Sequence, residues 1–185
     1  VGLLNQYPEH TPAPEPPVIS RGELVRSLAT CRSEAEVLLR LQGRQLRHFE
    51  AFQLIAIEPN STGSVHTWDR HVLKTTHNAS HHLPFTSSSY QNDDVVKHRR
   101  KLFAEKIAAH GDMSPEDLQA FHREHDTGAG AFSVFMQRDD AETVSFSQIV
   151  VSPLQITMAY AAKLSGRAAF AEPVTITLKP RTCLA

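Results

Sequence analysis

The last third of the sequence contains four short runs in which β-branched and aromatic residues dominate, and these runs constrain the fold most. They are Phe132–Met136, Thr143–Val151, Leu154–Tyr160 and Val174–Leu178. Runs of this length and composition, bounded by turn residues such as Ser152-Pro153, are typical of strands. The simplest arrangement is an antiparallel meander. The clean alternation of Val174–Leu178 places that strand at an edge.

Four helices are predicted upstream of these runs. Ser20 and Ser33 each begin a capping-box pattern, with a glutamate three residues later and apolar residues at helical spacing. Val95–Ala109 has apolar residues on one helical face. Ser114 precedes a proline and two acids, which favours a fourth helix start.

The segments between the two helix pairs predict strands at Phe52–Ile57, Ser64–Trp68 and Val72–Thr76, and Gly2–Gln6 is typical of the end of a strand. Residues 8–17 contain five prolines and predict an extended surface loop. The order of elements predicts an α+β fold with helices packed on largely antiparallel sheets. A chain of 185 residues favours a single domain over 1–185, with 161–185 as a C-terminal extension.

Composition excludes several classes of function. Lys and Arg number 19 against 20 Asp and Glu, so the charge balance predicts no nucleic-acid partner. No apolar run approaches the ~20 residues of a membrane span. Cys31 and Cys183 lie at opposite ends of the chain, which favours neither a disulfide framework nor a cysteine metal site and fits the cytoplasm.

A run of four hydroxyl residues is the clearest candidate site. Thr86, Ser87, Ser88 and Ser89, followed by Tyr90, lie where a strand gives way to a helix. Such residues can hydrogen-bond a ligand, but they are also the ordinary residues of turns and helix N-caps. No His and acid partner stands at fixed spacing from these serines, so a Ser-His-Asp triad is the weaker hypothesis.

Arg99, on the helix that follows, is a candidate clamp for an anionic group, although charged helix residues usually face solvent. Eleven histidines invite a metal hypothesis, and His122 and His125 lie one turn apart. No complete ligand signature is present, so the sequence predicts no metal site and no cofactor.

Several blocks, in their order and spacing, resemble the NRDE-type family, named for an Asn-Arg-Asp-Glu motif, which includes transport and Golgi organisation protein 2. The blocks are Leu3-Leu4-Asn5, Ser20–Val25, Thr86–Tyr90, Arg99-Arg100 and Phe132–Arg138 leading to Thr143-Val144-Ser145. More distantly, the order is similar to that of choloylglycine hydrolases and penicillin acyltransferase-like proteins. Those proteins are N-terminal-nucleophile amidohydrolases built as αββα sandwiches.

The resemblance implies a site as well as a fold. In the amidohydrolases an N-terminal cysteine attacks an amide, its α-amine acts as the base, and side-chain amides hold the oxyanion. By position, Asn5 would be an oxyanion donor, and Thr86-Ser87 would stand where the amidohydrolases have Thr-Asn. Ser88, the next residue of the same block, is also expected to be catalytic. The adjoining Ser89 and Tyr90, together with Arg99 of the next block, would bind substrate.

The chain also departs from the family pattern. Phe135 and Gln137 stand where relatives usually carry Cys and His, and Val1 offers no nucleophile. Neither Cys31 nor Cys183 matches the nucleophile position. The resemblance therefore implies that about 60 residues, with the first strands of the sandwich, precede this sequence.

Two functions follow as hypotheses. The first is an amide-bond hydrolase or acyltransferase that uses an N-terminal cysteine absent from these residues, acting on a small-molecule amide. The second is a non-catalytic carrier of lipid, acyl-CoA or haem-like ligands. In either case, a sheet without its first strands exposes edges and apolar surface, which predicts a homo-oligomer.

Overall fold

The structure is a computed structural model that describes residues 1–7, 19–59, 61–111, 113–126 and 128–179. The chain divides into two compact units, residues 1–97 and 98–185. The predicted proline-rich loop at residues 8–17 lies outside the described residues. Within the described ranges, none of the helices combines the length and the apolar character needed to cross a membrane.

The first unit is a four-stranded antiparallel sheet with helices on one face. Its strands, in the order β1-β2-β3-β4, are β1 Gly2–Asn5, β2 Phe52–Ala56, β3 Ser64–Trp68 and β4 Leu73–His77. Helices α1 (Arg21–Leu28) and α2 (Glu34–Gln42) connect β1 to β2, and short 3₁₀ helices occupy Leu46–His48 and Ala79–His82. The predicted strand at Phe52–Ile57 is confirmed to within one residue, and Ser64–Trp68 is confirmed throughout.

The core of this unit lies between the two helices and the sheet. Leu24, Leu28 and Leu41 from the helices pack with Leu54 and Trp68 from the sheet. These side chains alternate with outward-facing residues at helical or strand spacing, so each element buries one face. The opposite face of the sheet carries a smaller buried cluster of Ile55, Val65 and Ala79, against which Leu4 and Phe85 pack.

The caps of α1 and α2 differ from the predicted boxes. The Ser20 hydroxyl accepts a hydrogen bond from Gly22 N at 3.2 Å, and the Glu23 carboxylate pairs with Arg26 instead of reaching back. At α2 the predicted Ser33 bond to Glu36 N forms at 3.2 Å, but the Glu36 carboxylate accepts from Arg32 N. The predicted helix starts are confirmed. The predicted bonds from each glutamate carboxylate back to the N-cap N–H are wrong, because each carboxylate accepts from another donor.

The second unit contains a three-stranded antiparallel meander. Its elements are α4 Pro115–His122, β5 Ser145–Val151, β6 Ile156–Ala162 and β7 Val174–Leu178, with sheet order β5-β6-β7. Helix α3 (Asn92–His110) begins in the first unit and continues into the second. The antiparallel pairing of these runs and the edge position of β7 are confirmed, as is the helix start at Ser114, where the structure adds a capping box with Asp117.

The predicted strand at Phe132–Met136 is wrong. A 3₁₀ helix occupies Gly130–Phe132, and the residues after it pair with loops and a side chain. Phe135 N donates to the carbonyl of Glu124, and the Arg99 guanidinium donates to the carbonyls of Ala131 and Ser133. These partners satisfy the backbone groups that a sheet ladder would otherwise use.

Both units are therefore mixtures of helices and antiparallel strands, which confirms the α+β class. Aromatic side chains dominate the core of the second unit. Phe103 and Phe121 lie 5.2 Å apart between ring centroids, and Phe170 contacts Phe135 at 4.8 Å and Phe146 at 5.9 Å. Such tilted ring pairs add to the free energy gained from buried area.

Candidate functional site

A polar cleft of about 650 Å³ lies in the first unit and contains most of the predicted site. Each of its lining residues carries a polar group: Asn5, Gln6, Tyr7, Gln53, Thr86, Ser87, Ser88, Ser89, Gln91, Asn92, Asp93 and Asp94. The structure thus brings the end of β1 and the hydroxyl run to one cleft, although they are far apart in the sequence. Ligand sites commonly combine a concave shape with a few convergent polar groups.

Asn5 reaches the cleft because it is the last residue of the edge strand β1. It lies opposite Phe52 on β2, and Gln6 N then donates to the carbonyl of Ala51 at 3.2 Å, which carries the pairing one residue further. The Asn5 side chain is exposed, and its Nδ2 donates to the Tyr7 hydroxyl over 3.4 Å. The strand therefore fixes the backbone of Asn5 at the edge of the cleft, and its exposed side chain meets the cleft-lining Tyr7.

Ser88 holds the turn that precedes α3. Its hydroxyl donates to the carbonyl of Tyr90 at 2.8 Å and accepts from Tyr90 N at 3.1 Å, while Ser88 N donates to Oδ1 of Asn92 at 3.1 Å. The residue is 6% exposed. Its hydroxyl is thus engaged in a local side-chain turn of the kind that serine favours before helices.

The neighbours of Ser88 present different surfaces. Thr86 and Ser87 are half-buried, and Ser89 is exposed. Tyr90 is also exposed and is not among the residues that line the cleft. Ser87 and Ser89 therefore line the cleft, whereas Tyr90, which the sequence grouped with them, does not.

The start of α3 supplies acidic groups that the sequence reasoning did not assign to the site. Asp93 and Asp94 lie in the first turn of α3, where carboxylates interact favourably with the helix dipole. Asn92 Nδ2 donates to Oδ1 of Asp93 at 3.2 Å. Gln91, just before the helix, adopts a left-handed backbone with φ of 40°. The acids directly after the hydroxyl run were the available signal for this part of the cleft.

The charge of the cleft restricts what it can bind. Asp93 and Asp94 are its charged lining residues, and the described lining contains no Lys, Arg or His. Amides and hydroxyls donate and accept hydrogen bonds, so they suit neutral polar groups such as amides. Carboxylates repel anions. No imidazole in the described lining could act as a general base for Ser87 or Ser89.

Arg99 belongs to the second unit and has backbone partners there. Its Nη2 donates to the carbonyls of Ala131 at 2.7 Å and Ser133 at 3.0 Å. Burial lowers the pKa of the Arg99 guanidinium from its ordinary value, although the group stays charged. The structure thus shows Arg99 fixing the segment after the 3₁₀ helix.

Two histidines, and the two residues at which the sequence departs from the family pattern, also contact other parts of the chain. His122 Nδ1 lies 2.7 Å from the carbonyl of Leu118, and His125 Nδ1 lies 3.1 Å from that of Phe135. Phe135 is buried in the aromatic core, and Gln137 forms an isolated bridge with Glu142. Across the part of the chain that the structure describes, no group of three or more His, Cys, Asp or Glu side chains is arranged to hold a metal ion.

Comparison with known proteins finds no match to a protein-family model, to a curated protein or to a solved structure. The geometry and chemistry of the cleft are therefore the basis on which its function is inferred.

Proposed function

We propose that the cleft is the acyl-binding and oxyanion-stabilising part of an NRDE-type amide-bond hydrolase or acyltransferase. The observation that carries this proposal is that Asn5 and Thr86–Ser87, two separate blocks of the resemblance, line one polar cleft. The architecture gives further support, because each unit combines helices with an antiparallel sheet, as the amidohydrolases of the resemblance do.

In this proposal Asn5 stabilises the developing oxyanion. Its Nδ2 carries two N–H donors, one of which is directed to the Tyr7 hydroxyl, and one oxyanion donor is typically worth ~3 kcal/mol of activation free energy. Ser87 adds a single O–H donor. Ser88 acts indirectly, because its hydroxyl holds the turn that positions Ser87 and Ser89.

The nucleophile lies outside the described lining. A serine hydroxyl needs an adjacent base, and the lining offers no histidine or lysine. The resemblance implies an N-terminal cysteine, whose α-amine has a pKa near ~8 and can accept the thiol proton. The thiolate would attack the amide carbonyl, the protonated amine would pass its proton to the leaving nitrogen, and water or another acceptor would release the acyl group from the thioester.

The chemistry of the cleft favours this reaction over the carrier hypothesis. Lipid, acyl-CoA and haem-like ligands have long apolar groups, phosphates or carboxylates. A cleft lined by amides, hydroxyls and the Asp93 and Asp94 carboxylates fits a neutral or cationic amide better. We further propose a cytoplasmic location, which the low cysteine content supports.

The test is turnover of a panel of neutral, cationic and anionic N-acyl amides by the protein expressed from its complete reading frame. We expect activity on neutral and cationic amides, and we expect Asn5→Ala to lower kcat about 100-fold with a smaller change in KM. Leu39→Ala is the matched control, since Leu39 is 69% exposed on α2. Circular dichroism checks the folding of each variant.

Two results would contradict the proposal. One is full activity in Asn5→Ala, which would remove the oxyanion role. The other is saturable binding of panel members with no turnover in a protein that begins with cysteine, which would support the carrier hypothesis instead.

A further inference from the structure

The three-stranded sheet of the second unit has one face that is entirely apolar over its central rows. The register places Ile149 opposite Met158 and Met158 opposite Ile176, and it likewise aligns Val151, Ile156 and Leu178. Directly opposed residues of antiparallel strands point to the same face. These six side chains therefore form one continuous surface, here called the apolar face.

The apolar face is open to solvent. Ile149 is 62% exposed, Ile176 is 56% exposed and Leu178 is 59% exposed. Tyr160 and Val174, the next opposed pair, extend the face and are also exposed. The opposite face of the sheet is the one that meets α4, because Gln148 Nε2 donates to the carbonyl of Pro115 at 2.6 Å and Phe146 is buried.

The three strands contain no Asp, Glu, Lys or Arg. Natural proteins usually place charges on exposed sheets and edges to prevent association. A solvent-exposed sheet without them is the signature of an interaction surface. Because the face has no charge of either sign, it complements an identical apolar face better than a charged partner.

The area of the face agrees with what a stable dimer needs. Seven of its residues are 42–67% exposed, and at about half exposure an aromatic residue presents on the order of 100 Å², with the smaller residues at or below that area. The face thus offers up to roughly 700 Å², against about 800 Å² per partner in standard interfaces.

We propose that two copies of this chain associate through the apolar face, sheet against sheet. With a two-fold axis through the centre of the face, each copy would contribute the same residues to the contact. Sheets stack about 10 Å apart with interleaved side chains, so the pair would form a β-sandwich with α4 on each outer side. This interaction is independent of the chemistry proposed for the cleft.

Light scattering and sedimentation of the 185-residue chain test the oligomeric state. We expect a mass twice that of the 20.6 kDa chain. Ile176→Lys should raise the dimer Kd by roughly 30-fold or more, because it buries a charge at the centre of the contact twice. Thr175→Lys is the matched control, since Thr175 is exposed on the same strand but on the opposite face.

If Ile176→Lys fails to fold, cysteine variants at the same two positions test the association instead. We expect maleimide labelling of Ile176→Cys to slow as protein concentration rises, whereas labelling of Thr175→Cys stays constant. Mass spectrometry of the labelled peptide separates these sites from Cys31 and Cys183. Sedimentation with phosphatidylcholine vesicles tests the alternative that the face binds lipid.

Three results would overturn the proposal. The first is a monomeric chain at all concentrations. The second is slow labelling of Ile176→Cys that does not depend on concentration, which would show that the face is covered within one chain. The third is vesicle binding that Ile176→Lys abolishes while the dimer persists.

Discussion

Nδ1 of His66 lies 3.0 Å from Oγ1 of Thr75 on the neighbouring strand, directly opposite it in the register. The other ring nitrogen, Nε2, lies 3.2 Å from the Ser64 hydroxyl, and His66 is 1% exposed. Burial lowers the pKa of His66, the Glu34 carboxylate acts in the opposite direction, and His77 lowers the pKa further. The imidazole is thus held neutral between two hydroxyl groups.

This environment makes stability depend on pH. Because the folded-state pKa is below the ordinary value of about 6.5, the unfolded chain binds a proton in that window that the folded chain does not. The contribution of His66 to the free energy of unfolding should therefore have its full value above about pH 6.5 and decrease as the pH falls toward the folded-state pKa. Urea denaturation from about pH 8 to pH 5 measures this change.

The control for His66 is His66→Gln, which can still hydrogen-bond but cannot titrate. Its free energy of unfolding should change less over the same pH range. Equal slopes for the two proteins would show that other groups cause the pH dependence.

Ser88→Ala should destabilise the first unit. The substitution removes the hydroxyl that donates to Tyr90 O and accepts from Tyr90 N, so we expect a loss of about 1 kcal/mol in the free energy of unfolding. Ser87→Ala, at the half-buried neighbouring position, should change stability by less than ~0.5 kcal/mol. The same two variants in the amide assay separate the structural serine from the one that faces substrate. A stable but inactive Ser88→Ala would instead support a direct catalytic role.

Sequence reasoning succeeded where local signals decide the structure. The strand β3 begins after Gly63 and ends before Asp69, whose carboxylate accepts from His71 N and Val72 N in the turn. Those turn residues are visible in the sequence. The segment Phe132–Met136 has strand composition, but Arg99 and Glu124 supply partners from distant positions, and no local pattern shows such partners.

The candidate site was predictable to a similar extent. The hydroxyl run and Asn5 were found through residue type and resemblance, and both line the cleft. Gln53 was missed because its place in the lining depends on how β2 meets the hydroxyl run, whereas Asp93 and Asp94 were missed although they closely follow that run in the sequence. Arg99 was assigned to substrate from its charge, whereas its backbone partners depend on tertiary structure.

Gly63→Ala should be one of the more damaging small substitutions. Gly63 has φ of 76°, and an added Cβ would lie 3.0 Å from Ala56 O and 3.0 Å from Ile57 Cγ1. Left-handed backbone alone costs a non-glycine residue about 1–2 kcal/mol, and the crowding adds to that cost. Gly111→Ala is the control, since Gly111 has φ of 72° but no atom within 4 Å of the added Cβ. Equal losses of unfolding free energy for the two variants would show that the contacts at Gly63 relax without cost.

Arg99→Lys should loosen the segment after the 3₁₀ helix while preserving charge. A lysine ammonium is a compact charge on a flexible stem and does not hold a donor rigidly where Arg99 Nη2 meets both Ala131 O and Ser133 O. We expect a loss of about 1.5–3 kcal/mol in unfolding free energy, as for hydrogen bonds from a charged group. Hydrogen exchange should also become faster over residues 131–135. Arg100→Lys, at the exposed adjacent position, is the matched control and should leave both quantities unchanged. An Arg99→Lys protein of normal stability that binds anionic ligands more weakly would favour the anion-clamp role over the structural one.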